Sequence, residues 1–250
     1  MASSYPYRYL AFTLMMVFGY SQSFSPTKFL HARHTTMQQT ASSKQPNELF
    51  DSPGWAKIKE ELDQVPVFSI ANGDGLPIKY TINKDDTSFE IPLFYTHVSD
   101  ALIELEKAME NKPLQTGMDI SPYPLGDIFE LWANDAAVIV PNKKSIVQAG
   151  VPPTAIAMGQ QVPLFACMEI AQENESGKLV LPLFFELEDA NDAVSQAVSS
   201  DGGKVEDFEV VGLNLPEAVS LLANAGEEQS FQFVPPASSL KHIRDYLSGG

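Results

Sequence analysis

Residues 92–95 of this 250-residue chain read Pro-Leu-Phe-Tyr, and residues 182–185 read Pro-Leu-Phe-Phe. Upstream of each copy, Val-Pro-Val-Phe at 65–68 recurs as Val-Pro-Leu-Phe at 162–165. Further pairs follow downstream in the same order, at spacings of 90 and 94 residues. Several paired features in one order predict an internal duplication.

An amphipathic helix is predicted after each copy, because the apolar residues follow helical spacing. The two predicted apolar stripes are Ala101, Leu102, Leu105, Ala108 and Met109, and Ala190, Ala193, Val194, Ala197 and Val198. The later pairs are Leu125, Ile128, Phe129 and Trp132 with Leu215, Ala218, Val219 and Leu222, and Val140-Pro141 with Val234-Pro235.

Each half is therefore predicted to run strand, hairpin partner, helix, strand, helix, short strand and helix. Turns are expected at 72–75, 83–87 and 173–177, where Asn, Asp, Gly and Ser cluster. A preceding helix is expected to begin with Ser52 as N-cap and Pro53 at its first position, and to bury Trp55, Ile58 and Leu62.

The predicted class is α/β, or α+β, with two pseudo-symmetric lobes that each pack a small sheet with helices. The duplicated domain is expected to span 48–250, with lobe one at about 62–150 and lobe two at about 162–247. The proline-containing stretch 151–161 would join them.

Charge is divided unevenly along the chain. The formal net charge is −16, yet residues 1–47 contain no Asp or Glu. The remaining 203 residues hold 32 acidic and 12 basic residues, a formal charge of −20. Such a surface disfavours nucleic acid as a partner, because phosphate backbones are bound by clustered Lys and Arg. One Cys excludes an intramolecular disulfide and a thiolate metal site, and no metal or cofactor is predicted.

The first 47 residues resemble a two-part targeting leader. Residues 9–20 form an apolar run after Arg8, too short to span a membrane and typical of a signal peptide, which we place at 1–23. Residues 24–47 are basic and rich in Ser, Thr and Gln, which is typical of a disordered transit peptide. The alternative is a plain secretory signal followed by a disordered linker. No other run is long enough to span a membrane.

Few residues offer catalytic chemistry. His97 and His242 are interpreted as surface histidines, and Cys167, flanked by apolar residues, as a buried hydrophobe. The glutamates at 104, 106 and 110 fit a solvated helix face. Asn174 begins a formal glycosylation sequon.

Three predicted strand segments, at 91–95, 162–168 and 179–185, are apolar on both faces. Such strands are either covered on both sides or leave one side for a ligand. The second interpretation predicts an apolar groove in each lobe, lined by residues that are equivalent in pairs: Phe68, Phe94, Phe165 and Phe184.

This order of motifs resembles the twenty-two-kilodalton component family of the chloroplast inner-envelope translocon (Tic), in a form with the bipartite leader of complex plastids. The resemblance covers about residues 50–247. It implies a butterfly-like α/β fold with apolar grooves, no cofactor and no catalytic residues, and a place in the intermembrane space of the plastid.

The function expected from this resemblance is transient, chaperone-like binding of preproteins during import. Preproteins with basic transit peptides and other translocon subunits would be the partners, with peripheral membrane association but no transmembrane segment. Two alternatives stay open: a structural subunit of a plastid membrane complex without client binding, and a thiol-dependent enzyme that uses Cys167.

Overall fold

A computed structural model describes residues 49–84, 87–111, 117–173, 177, 179–201, 203–224 and 230–248. The predicted signal peptide (1–23), the predicted transit segment (24–47) and the Asn174 sequon lie outside these residues.

The described chain alternates short strands with helices. The helices are α1 (Trp55–Asp63), α2 (Val98–Asn111), α3 (Leu125–Ala133), α4 (Lys143–Gln148), α5 (Leu187–Asp201), α6 (Leu215–Asn224) and α7 (Ala237–Ser248). The strands are β1 (Pro66–Ala71), β2 (Lys79–Lys84), β3 (Thr87–Tyr95), β4 (Asp119–Pro124), β5 (Val138–Val140), β6 (Pro163–Cys167), β7 (Gln172–Glu173), β8 (Leu179–Phe184), β9 (Val210–Asn214) and β10 (Ser230–Val234). Within the described ranges, none of these helices combines the length and the apolar composition that a membrane span requires.

The strands form two five-stranded sheets with the same connectivity. The first has the order β2-β3-β1-β4, and β5 also pairs with β3; the second has the order β10-β8-β6-β9, and β7 also pairs with β8. The short strands β5 and β10 run parallel to β3 and β8, and the other pairs are antiparallel. The predicted mixed α/β class is confirmed. Three strands, rather than the expected two, precede the first helix of each half.

Strand pairing corrects the alignment of β3 with β8 by one residue. Phe68 pairs with Tyr95, and its counterpart Phe165 pairs with Phe184. The structural counterpart of Phe184 is therefore Tyr95, at a spacing of 89 residues, and not Phe94 at a spacing of 90. Because successive residues of a strand point to opposite faces, Phe94 and Phe184 lie on different sides of their sheets.

A shared hydrophobic core joins the two sheets. It contains Val67 and Phe94 from the first sheet and Leu164 and Leu181 from the second. Two smaller clusters lie under α2 and under α5. Helix α1 contributes Trp55, Ile58 and Leu62 to the shared core, as predicted.

The start of α1 differs from the prediction. Its N-cap is Gly54 and not Ser52, whose side-chain oxygen is buried without a hydrogen-bond partner among the described residues. Two backbones approach each other closely at Gly54. A Cβ atom on Gly54 would lie 2.6 Å from the carbonyl oxygen of Ala223, which belongs to α6.

We expect Gly54→Ala to lower the free energy of unfolding by about 1–3 kcal/mol, because the added methyl group meets backbone that moves only with α6. Denaturant unfolding measures the change. Gly212→Ala is the matched control, since a Cβ there meets no atom within 4 Å. Equal stability of the two variants would contradict the close packing of α1 on α6.

Candidate functional site

The four phenylalanines predicted to line apolar grooves are all buried. The exposed fraction is 0% for Phe68, 1% for Phe94, 3% for Phe165 and 6% for Phe184. Phe68 lies in the cluster under α2, Phe94 lies in the shared core, and Phe165 and Phe184 lie in the cluster under α5. The assignment of an open groove to these side chains is therefore corrected: they are core residues.

The central strands are apolar on both faces because both faces are covered. In β1, Val67 belongs to the shared core and its neighbour Phe68 to the cluster under α2. In β6, Leu164 belongs to the shared core and Phe165 to the cluster under α5. Every residue of β1 and of β6 is buried. Of the three predicted segments, full coverage therefore holds for 162–168 along the whole of β6.

Exposed apolar side chains occur instead on the outer side of α2. Leu102, Ile103 and Met109 expose 40%, 50% and 53% of their surface. The prediction had placed Leu102 and Met109 in the buried stripe; this is corrected, because Ala101 is the residue that is fully buried against the sheet. Leu105 and Ala108 pack beside it.

Acidic residues lie between these apolar side chains. Glu106 and Glu110 are both exposed on the same helix. We call the set Leu102, Ile103, Glu106, Met109 and Glu110 the α2 surface. It combines apolar side chains, which favour contact with another apolar group, with carboxylates that attract cations.

Helix α5 occupies the equivalent place in the other half, and its outer side is polar. Ala101 and Ala190 are both 0% exposed and fix the spacing at 89 residues. At that spacing Leu102 corresponds to Asn191 and Ile103 to Asp192, both exposed. The equivalent helix of the other half thus carries polar residues at these two positions.

A shallow apolar groove of about 350 Å³ lies between β4 and α7. Its lining residues are Asp63, Gln64, Pro66, Pro122, Tyr123, Pro124, Leu240 and Ile243. Helix α7 also packs against α2. Exposed apolar side chains around the first sheet include those of α2, Leu240 of α7 and Phe89 of β3.

His97 is buried, with 3% exposure, which corrects its interpretation as a surface residue. Its Nε2 atom lies 2.6 Å from Oε1 of Glu186. Glu186 is the structural counterpart of His97, at the spacing of 89 residues, just before α5. The pair therefore joins equivalent points of the two halves.

His242, also interpreted as a surface residue, is half-buried. Its ring lies edge-on to Phe68, with 5.9 Å between the ring centroids.

The neighbouring Thr96 completes a hydroxyl–imidazole–carboxylate row. Its Oγ1 lies 3.1 Å from Nδ1 of His97 and accepts a hydrogen bond from the Asn142 N–H. In the tautomer that donates Nε2–H to Glu186, the Thr96 hydroxyl donates to Nδ1 of His97. Thr96 and His97 are both 3% exposed, so this hydroxyl is closed to a substrate. The row is a structural link and does not provide an accessible nucleophile.

Further polar contacts join the halves around this pair. Lys144 contacts Glu188 at 2.7 Å, and the Gln148 amide donates to the same carboxylate. The pKa of Glu186 is lowered by its hydrogen bond to His97, and the pKa of Glu188 is lowered by Lys144. The pKa of Asp189 is raised by burial. These contacts place α4 of the first half against the start of α5.

Cys167 is fully buried, as predicted. Burial and a hydrogen bond to Glu169 raise the pKa of its thiol to about 12. A thiol with that pKa carries almost no thiolate at neutral pH, which disfavours the thiol-dependent enzyme. Among the described residues, His, Cys, Asp and Glu form no group of three that could hold a metal ion.

Glu186→Gln is expected to lower the free energy of unfolding at neutral pH by about 1–3 kcal/mol, because a charged acceptor for His97 is lost. The pKa of Glu186 is lower in the folded chain than its ordinary value of 4.5. Its stabilisation is therefore complete above pH 4.5 and is lost as the pH falls through the folded-state pKa.

Urea unfolding of the wild type and Glu186→Gln over a pH series measures this difference, with the exposed-site variant Glu110→Gln as control. The stability difference should shrink below about pH 4.5. If the difference in free energy of unfolding stayed constant down to the pH of acid unfolding, the charge of the Glu186 carboxylate would not be its cause.

The Cys167 thiol should not react with a thiol-specific chromogenic reagent in the native protein, and should react fully in denaturant. Burial and the raised pKa are the two reasons. Rapid, stoichiometric labelling of Cys167 in the native protein would contradict this prediction and would support a reactive thiol.

Comparison with known proteins places this arrangement in a family. The model of the Tic22-like family matches residues 15–245. No curated protein sequence matches the chain.

Two solved structures share the fold. Tic22 from Plasmodium falciparum has a TM-score of 0.64 and 20% sequence identity, covering 77% of this chain and 98% of its own. Anabaena Tic22, described as a protein of protein transport, has a TM-score of 0.57 and 19% identity, covering 76% of this chain and 96% of its own. The resemblance inferred from the repeated motifs is thereby confirmed: the chain is a member of the Tic22-like family.

Proposed function

We propose that this protein acts in plastid protein import by transiently binding preproteins in a chaperone-like way. The family match and the protein-transport description of the Anabaena structure support the process. The observation that carries the binding role is the α2 surface, which exposes Leu102, Ile103 and Met109 beside carboxylates.

The chemistry of this surface fits a basic, amphipathic segment. The apolar side of such a segment would cover the apolar side chains of α2, and its Lys and Arg residues would lie near Glu106 and Glu110. Transit peptides are basic and poor in acids. Residues 48–250 carry 32 acidic and 12 basic residues, a charge of −20, which attracts cations beyond direct contact. The screening length at physiological salt is about 8 Å.

Binding at this surface would be weak. Burying roughly 300 Å² of apolar surface contributes on the order of 7 kcal/mol. Association costs about 4–15 kcal/mol in lost translational and rotational freedom. A micromolar or weaker affinity follows, which suits a component that passes preproteins on to other translocon subunits.

The compartment is part of the proposal. A signal peptide at 1–23 followed by a transit segment at 24–47 would direct the protein to a complex plastid. We place it in the intermembrane space, associated with the translocon and peripherally with its membrane.

A structural subunit of a plastid membrane complex is the second candidate. It is favoured by the groove between β4 and α7, since an exposed apolar groove would suit a permanent neighbour. Co-purification in fixed stoichiometry from intact plastids would support that role. Proximity labelling that yields many preproteins would support transient binding.

The double variant Leu102→Asn/Ile103→Asp gives α2 the residues found at the equivalent positions of α5. We expect it to weaken binding of a fluorescently labelled transit peptide about tenfold, measured by anisotropy, with little change in stability. Asn191→Asp, which adds one negative charge to α5, is the matched control and should bind like the wild type.

The same assay tests the role of charge. Affinity of the wild type should fall as salt is raised, because the cations of the peptide are screened. Tight binding that is indifferent to salt, or full binding by the double variant, would exclude the α2 surface as the transit-peptide site.

A further inference from the structure

The edge strands β4 and β9 are equivalent in the two sheets but differ in their backbone donors. β4 pairs with β1 along its length, and β9 pairs with β6 in the same way. Each is the last strand in its sheet order. Pro122 of β4 corresponds to Gly212 of β9, and Pro124 corresponds to Asn214, at the spacing of 90 residues.

The pairing decides which backbone groups face outward. The Leu125 N–H donates to the Val65 carbonyl, and the Leu215 N–H donates to the Val162 carbonyl. In an antiparallel pair, hydrogen-bonded residues alternate with residues whose N–H and C=O point away from the partner. Counting back from these two bonds, the outward residues of β4 are 120, 122 and 124, and those of β9 are 210, 212 and 214.

The outer edge of β4 offers no backbone donor to another strand. Pro122 and Pro124 have no N–H, and the N–H of Ile120 already donates to Oδ1 of Asp119 at 2.8 Å. Proline at outward positions is a common protection of an edge strand.

The outer edge of β9 keeps all three donors. Val210, Gly212 and Asn214 each have a backbone N–H, and no acceptor for these groups occurs in the part of the chain that the structure describes. Gly212 is exposed, and a Cβ placed on it would meet no atom within 4 Å. An incoming strand therefore has both donors and space.

From this difference we infer that the outer edge of β9 binds an extended, basic peptide segment by strand addition. In that mode, main-chain hydrogen bonds supply affinity, and side chains of the added strand supply selectivity. The charge around the edge selects the ligand. Glu206, Asp207 and Glu209 are exposed before the strand, and Glu217 is exposed after it.

The same charges disfavour a second copy of the chain. Antiparallel pairing of two β9 strands about Gly212 would set the acidic start of one strand against the Glu217 end of the other. Like charges that face each other across strands are destabilising. An extended segment rich in Lys and Arg meets the opposite sign at both ends.

This inference goes beyond the proposed function. It places a second ligand site on the other sheet, and it selects an extended conformation, which the proposal for the α2 surface does not specify. Neither site requires the other.

The test uses the full chain and a fluorescein-labelled peptide of about ten residues in which Val and Lys alternate. Gly212→Pro reproduces at β9 the residue found at position 122 and removes the central outward donor. We expect it to weaken binding about tenfold or more, whereas Gly212→Ala, which keeps the N–H, should bind within about twofold of the wild type.

A modified peptide tests the edge without changing the protein. Methylation of every second backbone nitrogen blocks strand pairing and should abolish binding to the wild type. A Val–Glu peptide of the same length should not bind, because its charges repel those beside β9. This comparison applies even if Gly212→Pro unfolds, which its circular dichroism spectrum would show.

Three results would overturn the inference: equal binding by a folded Gly212→Pro variant, equal binding of the methylated peptide, or a wild-type dimer in sedimentation that Gly212→Pro dissociates. The last result would assign the edge to a second copy. The two proposals can fail separately. If the α2 double variant loses transit-peptide binding while Gly212→Pro still binds the Val–Lys peptide fully, the β9 site is rejected and the proposed function stands.

Discussion

Burial of both faces of β1 and β6 is the constraint on which the rest of this structure depends. Alternate residues of each strand lie in different clusters: the shared core on one side, and a core beneath α2 or α5 on the other. The shared core contains residues of both sheets and of α1, α3 and α6. The two sheets therefore form one packed unit, and surfaces available to partners lie on its outer helices and strand edges.

Within this apolar packing, the His97–Glu186 pair aligns the halves. Its partners come from equivalent points, before α2 and before α5, and Lys144 and Gln148 hold the next carboxylate. Apolar packing tolerates small shifts, whereas a buried polar pair fits in one arrangement. We therefore interpret the pair as a determinant of how the halves are oriented, and the burial of Thr96 and His97 fits that role better than catalysis.

The two halves differ where the fold permits it. Ala101 and Ala190 are equally buried, yet the adjacent outward residues are apolar on α2 and polar on α5. The edge strands differ in the same way, with prolines facing outward on β4 and donors on β9. The two halves share their connectivity, and these two differences lie on the surfaces proposed to bind partners.

The sequence by itself determined the mixed α/β class, the buried face of α1 and the burial of Cys167, because these follow from local periodicity and motifs. It could not determine the burial of His97, since the partner lies 89 residues away and only packing of the halves brings them together. The counterpart of Phe184, the burial of the four phenylalanines and the outward donors of β9 all depend on strand register. A shift of one residue in the register moves every side chain of a strand to the other face. The register itself is set by which strands pair in the folded protein.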